Sequence, residues 1–233
     1  MIKKIISVVL FLTALVVLIT LGSWQIQRLQ WKEDIITRLE AEYQKDPLAH
    51  VYTLENLNSE HDLPLLYGSA EGKFIYDKEI FLGPKPHDGS IGFLVITPMN
   101  LNTGGYILVN RGWIDQENIN DISQTHTQGK ITVSGVFRKP DWNNFTPENS
   151  PENNIWIKPD IDEISNVKGI SPVAPLMLYT EKTSAQSGGL IMQQEKWYPR
   201  NKHKQYAIFW FAMALALISV FGLYLYQGKR KAD

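Results

Sequence analysis

The 233 residues, 44% of them hydrophobic and with a net charge of −1, leave room for one core-bearing domain beside two long apolar runs. The lack of a basic excess argues against a nucleic-acid surface. With no cysteine, disulfides, CxxC redox chemistry, zinc-thiolate sites, thiolate copper sites and a lipidated N-terminal cysteine are all excluded.

The first run, residues 5–21, follows Lys3 and Lys4 and is broken only by Ser7, Thr13 and Thr20. A cleaved signal peptide would share its basic start, but no Ala-x-Ala site follows and Trp24 suits an interfacial anchor. An uncleaved transmembrane helix over 1–22 is expected. Trp24, Arg28, Trp31 and Ile35 then recur at i, i+4, i+7 and i+11, with Leu29, Ile36, Leu39 and Tyr43 as a second apolar row. This predicts an amphipathic helical extension over 23–46, stopped at Asp46 because the residue before Pro47 is driven out of the α region. Trp24 and Arg28 also have the spacing at which a guanidinium lies over an indole, although a snorkelling arginine beside interfacial tryptophans fits the same residues.

From residue 65 the period changes to two. Strands are predicted at 66–75, 79–83, 93–98, 106–113, 130–138, 154–158 and 173–179, with 190–197 as a further candidate. Asn102-Thr103-Gly104-Gly105 reads as a hairpin turn, 162–168 as a short helix and 183–189 as a polar loop. Many short strands without a second long helical pattern predict an antiparallel barrel or sandwich over 47–200. Neither an internal repeat nor a low-complexity tract is found.

The second run, 206–226, has 21 residues without a charge, which at about 1.5 Å per residue matches a bilayer core of about 30 Å. A transmembrane helix is expected there, followed by a cytoplasmic tail over 227–233. Setting aside the five cations flanking the runs and Asp233, 18 basic and 23 acidic residues remain. Basic ends and an acidic middle place both termini in the cytoplasm and the β-rich domain outside it.

Catalytic signatures are lacking: there is no HExxH, GxSxG or GxGxxG. Gly68 to Lys73 falls one residue short of a phosphate loop and has Phe74 where a hydroxyl is needed, so it reads as a strand with a bulge. Asn144-Phe145-Thr146 is a glycosylation sequon only in a secretory-pathway host. His50, His61 and His126 read as solvated surface residues, and His87, after Gly83-Pro84-Lys85-Pro86, as a candidate site residue in a rigid turn. His203 stands three residues before the last run, beside Tyr206, Phe209, Trp210 and Phe211. Two readings fit it: a polar head-group belt with Arg200, Lys202 and Lys204, or an imidazole above apolar walls that hold a porphyrin.

Four ordered motifs resemble one family: Gly22-Ser-Trp24-Gln25-Ile-Gln-Arg28-Leu29-Gln-Trp31-Lys32; Thr97-Pro98 with Leu108-Val109-Asn110-Arg111-Gly112-Trp113; Ser134-Gly135-Val-Phe-Arg138 with Phe145-Thr-Pro147; and His203-x-x-Tyr206-Ala207-x-x-Trp210-Phe211. Their order between two terminal spans resembles the Surfeit locus protein 1 family of cytochrome c oxidase assembly factors. The resemblance implies a non-catalytic factor that helps place haem a in the large subunit of a haem-copper oxidase, with a haem a synthesis enzyme as a further partner. It also implies His203 as the haem ligand, while Lys204 departs from the apolar residue usual there. Trp24, Arg28 and Trp210 complete the expected cofactor-binding set. Without a transit peptide before the first span, the expected location is a bacterial inner membrane, crossed twice. Asn110 to Trp113 itself reads as structural, ending a buried strand with Gly112 at a bend and Trp113 filling the barrel, and Arg111 is not expected to be catalytic. Two other functions remain open: a scaffold that binds oxidase subunits through its spans without haem, and a membrane-anchored hydrolase using His87 with Ser90 or Ser134.

Overall fold

A computed structural model describes residues 2–59, 65–185, 188–192 and 196–230. The chain divides into two compact units, one from Leu39 to Trp197 and one joining the residues up to Arg38 with those from Tyr198.

The second of these units consists of helix. α1 is one uninterrupted helix, Ile2–Glu42, and its last turn, from Leu39, belongs to the sheet unit. Both α1 and the C-terminal helix, His203–Arg230, are long and apolar enough to cross a membrane. Their side chains face outward, with Leu10 65%, Val16 63%, Leu215 66% and Val220 65% exposed. Such continuous apolar exposure does not suit water. Where the two helices meet, small residues let them approach: Phe211 sits on Gly22, where an added Cβ would lie 2.8 Å from the ring, and Ala207 and Ala214 are buried.

In the sheet unit the elements run α2 (Leu54–Ser59), β1 (Leu66–Phe74), β2 (Ile80–His87), β3 (Ser90–Leu101), β4 (Tyr106–Asp115), β5 (Ile131–Arg138), β6 (Ile155–Trp156), α3 (Ile161–Lys168) and β7 (Val173–Thr183), and the C-terminal helix is α4. The strands form one sheet ordered β1-β5-β7-β4-β3-β2-β6, with β1 also meeting β3 at Gly72–Phe74. Two features correct the expectation of an antiparallel barrel or sandwich. There is no second sheet to make a sandwich among the described residues, and β4–β7 and β2–β6 are parallel pairs, so the sheet is mixed. The parallel pairs follow from connections too long to be hairpins, one carrying α3.

Both faces of the sheet are covered, which is why β4 is buried at eight successive positions rather than at every second one. Ile107 and Val109 join a cluster with Phe137, Leu178 and Leu57 of α2, whereas Leu108 joins Trp156, Ile161 and Ile164 on the α3 side. α3 is capped as its sequence requires: Asp160 accepts from the amides of Asp162 and Glu163, and Gly169 ends the helix at φ 60°.

Several predicted boundaries shift. The strands expected at 79–83 and 93–98 extend into a hairpin turning at Asp88 and Gly89, with φ of 46° and 86°. The strand at 154–158 shrinks to two residues, and of 190–197 only Ile191 bridges to Trp113 among the described residues. β1 pairs with β5 from Leu66 to Gly72 without a register shift, so Gly68 to Lys73 is a strand but has no bulge.

Candidate functional site

In the helical unit the geometry centres on His203, the first residue of α4. Its Nδ1 lies 2.7 Å from Oε1 of Gln25, a residue only 9% exposed on α1. An amide oxygen can only accept, so Nδ1 is the donor, and in the neutral ring Nε2 then carries the lone pair. This is the state in which an imidazole ligates a metal while its other nitrogen is held by a neighbour. Trp24, one residue before Gln25, meets the His203 ring edge-on at 6.4 Å between centroids.

Of the four expected site residues the structure thus brings Trp24 to His203. Arg28 does not stack on Trp24; its guanidinium lies 4.4 Å from the centroid of Trp31, three residues on, because i and i+3 also share a helix face. Trp210 is half-buried with its ring against Phe209 at 5.3 Å. Gln25 was not singled out as a site residue from sequence. Its signal was an amide one turn from Gly22 on a face otherwise meant for packing.

The sheet unit holds the other concentration of polar chemistry. Between Val95 and Ile96 the β3–β4 register shifts, leaving Arg111 as the extra residue of a β-bulge. Gly112, at φ 133°, and the Asn110 side chain, which accepts from the Gly112 amide at 3.0 Å, hold the bulge. The bulge turns Arg111 inward. Its Nη1 donates to Oε2 of Glu79 at 2.8 Å, its Nη2 donates to the Thr125 carbonyl and hydroxyl, and Thr97 donates to the same Glu79 oxygen. Both charged side chains are about 5% exposed or less. The Asn-Arg-Gly-Trp segment is therefore not the end of a strand, since β4 continues to Asp115. His126 is not a free surface residue either: it stacks on Tyr76 at 3.8 Å, with Nε2 buried 3.6 Å from Glu79. His50 is exposed, with Nδ1 3.0 Å from the Asp46 carbonyl, while His61 lies outside the described residues.

Among the described residues hydrolase geometry is not assembled. Ser134 directs its hydroxyl to the Lys182 carbonyl at 3.5 Å, and His87 tilts against Trp113, with its Nε2 3.6 Å from Asp88. Among the described residues no serine hydroxyl is hydrogen-bonded to a histidine, and no group of three or more His, Asp or Glu residues is placed to hold a metal.

Comparison with known proteins gives the same picture as the ordered motifs. The chain is 29% identical over 221 residues to Surfeit locus protein 1 of Rattus norvegicus, covering 84% of this chain and 68% of that protein. It is 28% identical over 218 residues to Surfeit locus protein 1 of Homo sapiens, covering 84% and 70%. A SURF1-like protein of Caenorhabditis elegans is 29% identical over 232 residues, covering 89% and 70%. The family model matches residues 12–215, from inside the first apolar helix to inside the last, and the chain belongs to the SURF1 family.

Proposed function

We propose that the protein is an assembly factor for a haem-copper cytochrome c oxidase, and that it assists delivery or insertion of haem a into the oxidase large subunit. It acts without turnover, as a carrier and partner, anchored in a membrane by α1 and α4. Its partners are the large subunit, the enzyme that supplies haem a, and membrane lipid. The charge asymmetry supports both termini in the cytoplasm of a bacterial cell and the sheet unit outside its inner membrane. A reporter fused at residue 120 should then be active only outside the cytoplasm.

The observation that carries the haem reading is the His203–Gln25 hydrogen bond. In the neutral ring it leaves the Nε2 lone pair free to ligate iron beside Trp24, in a unit whose helices offer apolar walls. His203 would hold the iron of the cargo, Trp24 and Trp210 would stack on the macrocycle, and Arg28 would meet a propionate. Several hundred Å² of apolar burial, at about 25 cal/mol per Å², adds several kcal/mol before any coordination bond. The test is haem titration of the purified full-length protein, wild type beside His203→Ala, followed by optical spectra. A weaker affinity and an altered band in the variant are expected. Equal affinity and an unchanged spectrum would remove His203 as the ligand and move the search to His87, whereas no haem band in either protein would leave a scaffold role without haem.

A further inference from the structure

The sheet unit opens a second site. β4 and β7 run parallel and pair as far as Asn110 and Tyr179, after which no β4–β7 pair follows among the described residues. β4 continues with β3, while β7 continues with β5 through a register shift at Ser134/Gly135. The carboxyl ends of neighbouring parallel strands that part company are where a sheet opens a crevice. Here they open a cleft of about 700 Å³, within the size range of small-molecule sites.

Its walls are apolar and aromatic, chiefly Trp113, Tyr179, Leu94 and Ile191. Two of its buried polar groups lack hydrogen-bond partners. Arg138 is clamped between Tyr179, at 3.8 Å from the ring centroid, and Trp197, at 4.8 Å. Its Nε is buried without a hydrogen-bond partner, and among the described residues its one ion pair is a 3.5 Å contact from Nη1 to Asp141, a side chain 91% exposed. Thr180, 3% exposed, also lines the cleft with a buried hydroxyl that has no partner. Buried donors are normally paired, and a guanidinium pinned between two rings is pre-organised to meet a planar acceptor. This contrasts with Arg111, whose Nη1 and Nη2 are engaged by Glu79 and Thr125.

We propose that this cleft binds the carboxylate of a small organic acid with a flat apolar body, the anion on Arg138 and Thr180 and the body against Trp113 and Tyr179. Both Asp141 and Asp88, which lines the same cleft, are rim carboxylates. They repel a dianion more than a monoanion, which favours a carboxylate over a phosphate monoester. Asp141 competes with the ligand for Arg138, and as an exposed group it gives way at little cost.

The test is calorimetric titration of the full-length protein in nanodiscs, corrected for empty discs, with 2-naphthoate, 2-naphthamide and 2-naphthyl phosphate. The acid should bind about tenfold or more tighter than the amide, and tighter than the phosphate ester. Arg138→Gln should abolish the preference for the acid, and Thr180→Val should weaken acid binding. Asp141→Asn, at an exposed position that does not threaten folding, should tighten acid binding several-fold. Equal binding of acid and amide by the wild type, no binding of the acid at millimolar concentration, or an Asp141→Asn protein with unchanged affinity would each overturn the proposal.

Discussion

The chain partners its buried and half-buried polar side chains by two different means in its two units. In the sheet unit Glu79 and Arg111 form an ion pair enclosed on all sides, and Thr97 and Thr125 take up further hydrogen-bonding capacity. In the helical unit His203 and Gln25 share one hydrogen bond through Nδ1, and among the described residues Nε2 has no hydrogen-bond partner. A polar group whose capacity is filled holds architecture, whereas one with capacity to spare is available for chemistry. Arginine by itself does not decide the matter, since Arg111 donates from both Nη1 and Nη2 to buried partners while the buried Nε of Arg138 has none.

The comparison breaks if the saturated cluster proves dispensable for folding. Arg111→Ala leaves the Glu79 carboxylate buried without its cation and should cost about 3–5 kcal/mol, read as a large drop in the unfolding midpoint of the purified protein. The paired change Glu79→Leu with Arg111→Met should cost clearly less, because no charge is then stranded. Equal loss in both would mean that packing, not charge, is what the cluster supplies.

Next in size is the device that aims Arg111. Gly112→Ala puts a Cβ at φ 133° and 2.7 Å from the Ile191 carbonyl oxygen, and strain of about 1–3 kcal/mol is expected on the same measurement. A wild-type midpoint in this variant would show that the bulge relaxes freely.

Gln25→Leu sharpens the other side of the comparison. It removes the acceptor that orients His203 without introducing a charge, so helix packing should persist while haem affinity falls about tenfold. Loss of affinity equal to that of His203→Ala would instead mean that Gln25 touches the cargo itself.

These regions differed in how much of them the sequence showed. The two apolar helices were legible because length, absence of charge and the 3.6 period are local properties, and the short helix expected at 162–168 is α3, which the structure caps with Asp160 and Gly169. The sheet's parallel pairs were not legible, since the order of strands depends on where long connections return the chain. The bulge hid behind an uninterrupted run of buried residues in β4, which reads as a strand whichever way Arg111 points. Of the candidate site, His203 and Trp24 stood out by type and position. Gln25 did not, because only the approach of α1 and α4 gives its amide a partner, and Arg138 read as the end of a strand until β7 and Trp197 enclosed it.

The smallest expected effect concerns a third buried polar contact, intermediate between the two kinds. Tyr67 donates to Oε2 of Glu181 at 3.0 Å, while Oε1 is buried without a partner. Burial, reinforced by the Glu181 hydrogen bond, pushes the Tyr67 phenol up to about 12. Burial also raises the Glu181 carboxyl above the usual carboxylate range, against the lowering effect of the Tyr67 hydrogen bond and of Lys196 and Lys182. A carboxyl raised in the folded state binds its proton more tightly folded than unfolded. Its stabilising contribution is therefore present at pH below the unfolded value and is lost as pH rises through the folded one. Glu181→Gln keeps an oxygen to accept from Tyr67 and removes the charge. At neutral pH the variant should be as stable as the wild type or more so, by under about 1 kcal/mol since the carboxyl is only part-buried. On acidification through the carboxylate range the wild type should gain on the variant, as followed by paired unfolding curves. A wild type that instead loses ground to the variant on acidification would mean that the charged carboxylate is the form the fold prefers, and would move Glu181 into the same class as Glu79.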